Sequence, residues 1–403
     1  MALSINSLPV EILENIFTHL PFKDVRHFGQ VCHIWNDVLR GSQFQRRIRV
    51  KLQNDFRQDI SPASMKFLTT CKNLSIVQQY DNSSNYDAEV EGESETDSQR
   101  LQDAAKAEQN IAFILFGTTE LDSLQLFSKY KSVKNIIQDR LFELSHLKEL
   151  KFSFFYDGNT CQPGEKVWHL KSDSLETFKI GLPYSVGPLH LETPHLKELH
   201  LTSLILQQCE LINDLPGLHI RMVGLERLKL ISVVNNVLLE HNFCGLRYLE
   251  LAHSFKYGND LLQKVFYNFT SVEHAKIHFR TTLDGDAFQK LHQMKSLKSL
   301  EMRATEVTDE HWNHCQQLPS VEQFTITNCF MLKFSMFASL GRVFPSVKRL
   351  YVDRCHIIDD TSGADAAIDG GCERKLRKMF PNCIVSWHDS VQLTPMSLKQ
   401  LLM

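Results

Sequence analysis

The chain has 403 residues, of which 43% are hydrophobic and 23% charged, and 44 basic residues against 47 acidic ones give a formal net charge of −3. This is a globular composition with ample apolar material for a core. The near-neutral charge argues against a general nucleic-acid binder, which needs excess lysine and arginine for phosphate contacts. We expect neither a secretory signal nor a membrane span, because the first residues lack a basic region followed by an apolar run and no stretch approaches ~18 uninterrupted apolar residues.

Ten cysteines are spread along the chain, and no two of them are separated by only two residues. Such spacing is typical of neither a zinc ribbon nor a redox motif. Without an export signal we do not expect a disulfide framework. We therefore predict reduced thiols that act as small core hydrophobes, in a protein of the cytoplasm or the nucleus.

The first forty residues show the signals of three short helices. Pro9 suits the first turn of a helix, and apolar residues from Ile12 to Leu20 recur on one face. Pro21 ends this helix, and Asp24 can cap the next one. Three helices of this size cannot bury all of their apolar surface internally, so the excess predicts a partner protein.

The sequence LPVEILENIFTHLP at 8–21, followed by VCHIWNDV at 31–38, resembles an F-box. That family's pattern is Leu-Pro, an acidic residue with a Leu/Ile pair, Ile-Phe, Leu, and then Val-Cys-x-x-Trp, and every position is filled here. The resemblance implies docking on a Skp-family adaptor, which links the chain to the cullin and RING subunits of an SCF (Skp–cullin–F-box) ubiquitin ligase. A generic three-helix cap on the following repeats is the alternative. The adaptor-binding residues that the resemblance implies are Leu8, Pro9, Glu11, Ile12, Ile16, Leu20, Val31 and Trp35.

From residue 50 onward the template Leu-x-x-Leu-x-Leu recurs ten times between Leu121 and Val352, with anchors 21 to 29 residues apart. This spacing falls in the window of leucine-rich repeats. A weaker copy begins at Leu74, and a terminal strand is predicted near Ile384–Trp387. Alternate strand residues point to opposite faces, and stacked copies close a common core. The predicted fold class is therefore α/β, an N-terminal three-helix F-box followed by a leucine-rich-repeat solenoid with a curved parallel β-sheet and outer helices.

The predicted domains are an F-box at 4–50, a leucine-rich-repeat domain at 51–388 and a C-terminal tail at 389–403. The step from Leu74 to Leu121 is 47 residues, about twenty more than one repeat needs. Residues 81–103 contain eight acidic residues and one basic residue, a net charge of −7. This like charge predicts a disordered acidic insertion, with helical character returning near Gln99.

Outward positions of the repeat strands are the candidates for substrate binding. The basic ones in the middle of the face form a predicted cationic strip, and an ordinary solvated surface is the alternative. We hypothesise that the acidic insertion folds back onto this strip as a salt-sensitive competitor of an acidic substrate; the alternative is a solvated linker. The candidate substrate-binding residues are Lys151, Lys179, His200, Lys229 and Lys276.

No enzyme motif is found, neither Gly-x-Ser-x-Gly nor a phosphate-binding loop. His311, His314 and Cys315 can share a helix face but lack a fourth ligand, so we predict a polar cluster, no metal, no cofactor and no catalytic residue. The predicted function is the substrate-recognition subunit of an SCF ubiquitin ligase, acting on an unknown protein, with no nucleic-acid or membrane partner. A non-degradative F-box scaffold and a plain repeat-based binding protein remain as alternatives, and an enzyme is the least favoured.

Overall fold

The computed structural model describes residues 5, 8–19, 30–40, 49–54, 61, 65, 68–69, 71–78, 94–128, 136–137, 139–154, 168–182, 189–203, 225–231, 243–252, 259–278, 286–304, 306–358, 371–388 and 391–393. Within this part of the chain, no helix is both long enough and apolar enough to cross a membrane. The helices are α1 (Val10–Thr18), α2 (His33–Arg40), α3 (Ser94–Gly117), α4 (Asn259–Asn268), α5 (Glu310–Asn313), α6 (Met336–Val343) and α7 (Gly371–Met379). Single 3-10 turns form at Leu141–Glu143 and Leu291–Gln293.

A 13-stranded sheet is the main feature of the repeats, and its strands follow one another in chain order. Its strands are β1 (Arg49–Asn54), β2 (Asn73–Gln78), β3 (Ser123–Ser128), β4 (Glu149–Phe154), β6 (Thr177–Leu182), β8 (Glu198–Ser203), β9 (Arg227–Ile231), β10 (Tyr248–Ala252), β11 (His274–His278), β12 (Ser299–Arg303), β14 (Gln323–Thr327), β16 (Arg349–Asp353) and β18 (Ile384–His388). The pairings from β1 to β4 and from β8 to β18 are parallel. The predicted parallel repeat architecture is confirmed.

Two smaller sheets accompany the main one. A four-stranded sheet contains β13 (Glu306–Val307), β15 (Met331–Lys333), β17 (His356–Ile358) and β19 (Val391–Leu393), and a two-stranded sheet contains β5 (Trp168–Lys171) and β7 (Leu189–Glu192). The sequence template predicts neither, because these strands are too short to show an alternating pattern of their own.

The repeat template places its apolar residues in the core as the alternation requires. In β9, Leu228 and Leu230 are buried while Arg227, Lys229 and Ile231 point to the other face. The parallel register aligns Leu228 with Leu249 of β10, so that leucines of successive repeats stack. Each strand thus needs its neighbours to enclose its apolar residues.

An aromatic cluster fills the core of the later repeats. The Trp312 ring stacks on Phe288 with ring centroids 4.8 Å apart and meets Phe324 and Phe344 edge to face at 5.9 and 5.6 Å. All four side chains are at most 1% exposed. Four rings from successive segments therefore bury one another, which ties neighbouring repeats together.

The chain divides into two compact units. The first comprises residues 1–159 and 170–178, and the second comprises residues 160–169 and 179–403. Helices α1, α2 and α3 with strands β1 to β4 lie in the first unit. The aromatic cluster and strands β8 to β18 lie in the second.

Two differences from the sequence predictions concern the first unit. Strand β1 precedes the first copy of the template, and its Val50 and Leu52 alternate without the leading leucine that the template requires. Helix α3 begins at Ser94, so the prediction of disorder over 81–103 is wrong for residues 94–103. Residues 81–93 lie outside the described residues, as do residues 20–29, where the second of the three predicted N-terminal helices falls.

Candidate protein-binding surfaces

The two described helices of the N-terminal segment pack around a small apolar core. Helix α1 contributes Leu13 and Phe17, and α2 contributes Trp35, Val38 and Leu39, each at most 8% exposed. The rings of Phe17 and Trp35 meet edge to face with centroids 5.0 Å apart, a favoured aromatic geometry. This contact holds α1 against α2.

Trp35 lies in that core rather than on the surface of the segment. The sequence prediction counts it among the adaptor-contacting residues, but its side chain is already enclosed by Phe17 and the other core residues. The ring is 7% exposed, so Trp35 stabilises the segment itself, and its contact with the adaptor stays a prediction. Leu8 is also partly buried against the same core.

Other predicted adaptor-binding residues are exposed. Ile12 and Ile16, one turn apart on α1, are 46% and 37% exposed, and Val31 is 58% exposed. Pro9 and Glu11 are exposed as well. Leu20 lies outside the described residues.

Two exposed apolar residues of the same segment were missed by the sequence analysis. Val10 on α1 is 50% exposed and Ile34 on α2 is 45% exposed. The F-box pattern does not include them, and the apolar periodicity could not distinguish a core-facing isoleucine from a surface one. A segment with so many exposed aliphatic side chains fits a partner-binding surface.

The open face of the main sheet, opposite the core, carries three outward rows of side chains. In β9 the first, middle and third rows are occupied by Arg227, Lys229 and Ile231. Glu198 on β8 lies 3.3 Å from Arg227 Nε and 3.6 Å from Lys179 Nζ on β6. This carboxylate joins three strands of the open face.

Tyr248 and Glu250 on β10 extend this network. The Arg227 guanidinium lies 4.3 Å from the centroid of the Tyr248 ring, and the Tyr248 hydroxyl donates a 2.9 Å hydrogen bond to Glu250. Lys229 Nζ lies 2.7 Å from the same carboxylate. Burial raises the pKa of Glu250, but Lys229 and Tyr248 outweigh it and hold that pKa below its usual range. Burial, with the adjacent carboxylate, raises the pKa of Tyr248, which stays a hydrogen-bond donor.

Glu301 on β12 is the next acidic centre. Its carboxylate lies 2.6 Å from Lys276 Nζ and 3.8 Å from His278 Nε2, both on β11. Contact with His278, and then with Lys276, lowers the pKa of Glu301 to about 2. Glu301 is therefore ionised at neutral pH and neutralises Lys276.

His200 lies between two lysines in the middle row. Burial, followed by the positive charge of Lys179 and then of Lys229, lowers the pKa of His200 to about 4, against the opposing effect of Glu198 and Glu250. The imidazole is therefore neutral at neutral pH.

A similar arrangement occurs in the first unit. Glu149 on β4 pairs with Lys151 Nζ at 2.8 Å, accepts a 2.8 Å hydrogen bond from the hydroxyl of Ser123 and lies 3.7 Å from Arg49. One carboxylate again collects partners from several strands.

The prediction of a cationic strip is therefore wrong, because its positive charges are compensated. Lys151, Lys179, Lys229 and Lys276 each contact a glutamate, and His200 is neutral. These pairs leave the hypothesis of an acidic insertion attracted to a bare cationic strip without its electrostatic basis. That these five residues bind a substrate stays a prediction.

A second charge pattern, which we call the charge ladder, was also missed. It consists of the residue that immediately precedes each main-sheet strand from β2 to β16, which from Leu121 onward is the second residue of the template copy, and its charge alternates in sign along the chain. The ladder residues are Lys72, Asp122, Lys148, Glu176, Lys197, Glu226, Arg247, Glu273, Lys298, Glu322 and Lys348. Aligning the copies by their leucines would have revealed it.

Backbone hydrogen bonds bring successive ladder residues together. The N–H of Lys298 donates to the carbonyl of Glu273 at 2.7 Å, and the N–H of Lys348 donates to that of Glu322 at 2.7 Å. The side chains of these two pairs also form ion pairs, which lower the pKa values of Glu273 and Glu322. At these two steps, opposite charge therefore joins one repeat to the next.

The candidate metal cluster does not assemble. His311 is buried, and its Nδ1 accepts a 3.0 Å hydrogen bond from the backbone N–H of Thr308, whereas His314 is exposed. The Cys315 thiol donates to the carbonyl of Phe288 at 3.2 Å, and burial raises its pKa to about 12. Among the residues that the structure describes, no group of three or more His, Cys, Asp or Glu side chains could hold a metal ion.

A family model described as F-box-like matches residues 5–51. No curated protein matches the chain. The solved structures similar to it include the complex of Rad7 and Elc1 from yeast, with 13% identity, 92% of this chain and 97% of that one covered, and a TM-score of 0.39. An internalin (InlF) of Listeria monocytogenes shows 12% identity, 99% and 97% coverage and a TM-score of 0.42. A leucine-rich-repeat protein of Leptospira interrogans shows 12% identity, 90% and 97% coverage and a TM-score of 0.31.

Likenesses of this size say nothing about function, and the repeat architecture is established by the spacing of the template and the register of the strands. The N-terminal motif and the family model agree on the same residues. The chain therefore joins an F-box-like domain at residues 5–51 to a leucine-rich-repeat solenoid.

Proposed function

We propose that this protein is the substrate-recognition subunit of an SCF ubiquitin ligase. The observation that carries the proposal is the F-box-like match at residues 5–51, a segment that exposes Ile12, Ile16, Val31 and Ile34 around a small core. Exposed aliphatic side chains in such number fit a protein interface better than a solvated surface. In this proposal a Skp-family adaptor covers them and links the chain to the cullin and RING subunits.

The repeats, taken as residues 51–388, hold the protein to be ubiquitinated. Their open face offers charged and aromatic side chains on consecutive strands, with Lys179, Arg227 and Tyr248 among them. Side chains held by neighbouring carboxylates are preorganised, which reduces the entropy lost when a partner binds.

The chain supplies proximity rather than a catalytic group. By holding a substrate lysine near ubiquitin activated on another subunit, a receptor converts a bimolecular encounter into an effectively intramolecular one. This role needs no cofactor or metal, and it belongs in the cytoplasm or the nucleus, where we propose that the protein acts.

The test uses the full chain co-expressed with a Skp-family adaptor, with and without a proteasome inhibitor. Ile12→Asp introduces a charge into an apolar contact, and Ile384→Asp makes the same change at an isoleucine of β18 that is 63% exposed. We expect Ile12→Asp to lose the adaptor while keeping the proteins bound to the repeats, and Ile384→Asp to keep the adaptor.

Full recovery of the adaptor with Ile12→Asp would refute the docking proposal. Bound proteins that neither accumulate under proteasome inhibition nor gain ubiquitin in a reconstituted ligase would refute the receptor role.

A further inference from the structure

Arg303 differs from the basic residues of β9 and β11 that lie on the open face. Arg227, Lys229 and Lys276 each pair with a glutamate. Arg303, in the third row of β12, is exposed and has neither an ion pair nor a hydrogen bond within the described part of the chain. Its guanidinium therefore keeps its donors available to a ligand.

The register places two further polar side chains beside Arg303. His278 on β11 is its neighbour on one side and Thr327 on β14 its neighbour on the other, each about 4.8 Å away along the sheet. His278 Nε2 is buried and lies 3.8 Å from the Glu301 carboxylate, with which it interacts electrostatically. A guanidinium, an imidazole ring and a hydroxyl thus belong to one short row.

The nearby carboxylates are already neutralised. Glu301 pairs with Lys276 at 2.6 Å, and Asp353, which is aligned with Thr327, pairs with Arg354 at 2.9 Å. With these two pairs neutral, the charge of Arg303 remains as the net charge of the row. The row is therefore electrostatically suited to an anion.

We propose that His278, Arg303 and Thr327 form an anion-binding subsite that takes a carboxylate or phosphoryl group of a protein held on the open face. Arg303 binds the group through two parallel N–H bonds, the Thr327 hydroxyl donates a third, and the His278 ring borders the subsite on β11. The inference deepens the proposed function, because it assigns an anionic group to whatever the repeats hold.

The test measures binding of three fluorescent hexapeptides to the full chain in low salt. The peptides have an alanine background and two central glutamates, two phosphoserines or two glutamines. We expect both anionic peptides to bind and the glutamine peptide not to bind, with the stronger anionic peptide identifying the preferred group. Removing a charge-assisted contact typically costs about tenfold or more in affinity, so Arg303→Gln should weaken anionic binding by at least that factor, and Thr327→Val by a smaller one.

Arg349→Gln is the matched control, since Arg349 is an exposed arginine of β16 in the first row. Equal binding by the Arg303→Gln variant and the unaltered chain would overturn the proposal, as would an equal loss with Arg349→Gln, which would indicate general attraction to positive charge. The assay contains no adaptor, so failure of F-box docking leaves this result unaffected.

Discussion

Truncating Ile12 and Ile16 to alanine should weaken adaptor binding without unfolding the F-box. The two side chains lie one turn apart on α1 and are 46% and 37% exposed, whereas the core beside them consists of other residues. Because the partly exposed isoleucines stand outside that core, the double variant should keep its melting temperature. This separates the interface from the fold.

The expected magnitude follows from the surface that docking would cover. Full burial of an isoleucine is worth about 1.5–3 kcal/mol. Covering the remaining 46% of Ile12 and 37% of Ile16 would therefore contribute roughly 1.2–2.5 kcal/mol together. Alanine keeps a part of this, so the double variant should lose roughly 1–2 kcal/mol, which corresponds to a dissociation constant about 5- to 30-fold higher.

Isothermal titration calorimetry of the full chain with a purified Skp-family adaptor measures this change. Ile384→Ala is the control, because it removes the same atoms from an isoleucine that is 63% exposed on β18. An unchanged affinity in the double variant would refute the reasoning, and so would an equal loss in the control.

Trp35→Ala should behave differently. Since Trp35 packs on Phe17 inside the core, its removal should cost about 3–5 kcal/mol of stability. Melting and adaptor binding should therefore fail together. A Trp35→Ala chain that melts normally but no longer binds the adaptor would contradict the core role and place Trp35 in the interface.

Three further predictions concern the second unit. Trp312→Ala should lower the free energy of unfolding of the repeats by about 3–5 kcal/mol in a denaturant titration, because it empties the centre of the aromatic cluster; a loss below about 1 kcal/mol would contradict that role. Burial raises the pKa of Cys329 to about 12. Iodoacetamide at pH 8 should therefore label the exposed Cys244 and spare Cys329 in the folded protein. Equal labelling of both cysteines in mass spectra would contradict the buried placement of Cys329. Glu273→Lys should place three cations in succession on the charge ladder and lower the melting temperature more than Glu273→Gln does at low salt, with the difference shrinking at high salt; a difference independent of salt would exclude an electrostatic cause.

The main strands were predictable because two periodicities coincide in the sequence. Alternation of period two assigns Leu228 and Leu230 to one face, and the recurrence of the template at repeat spacing assigns successive strands to one sheet. Strand β1 satisfies only the first condition, since Val50 and Leu52 alternate without a preceding template leucine. A single short alternation is too common in sequences to be assigned alone.

The beginning of α3 was mispredicted because composition and position favour different states. Acidic residues in number favour disorder, yet residues 94–103 belong to α3. The apolar residues Ile111 and Ile114 further along are buried and anchor the helix. The local acidic charge therefore did not prevent helix formation, because burial of apolar residues further along stabilises α3.

The charge pairing of the open face could not be predicted from residue types alone. Lys229 and Glu250 are 21 positions apart in the chain and meet because the register aligns them on adjacent strands. The sequence shows that glutamates occur among these lysines, but only the register shows which carboxylate each lysine contacts.

The two proposed surfaces differ in the physics by which they would bind. The F-box exposes aliphatic side chains, so adaptor binding would gain from burial of apolar area and respond weakly to salt. On the open face most cations already have an acidic partner, and a ligand carboxylate must displace Glu198, Glu250 or Glu301 to reach them. Such an exchange gains little net energy, so it favours partners whose charges match the whole pattern. At Arg303 no glutamate has to be displaced. An anion of the partner that binds there would therefore fix the partner's register before the lysine–glutamate pairs rearrange.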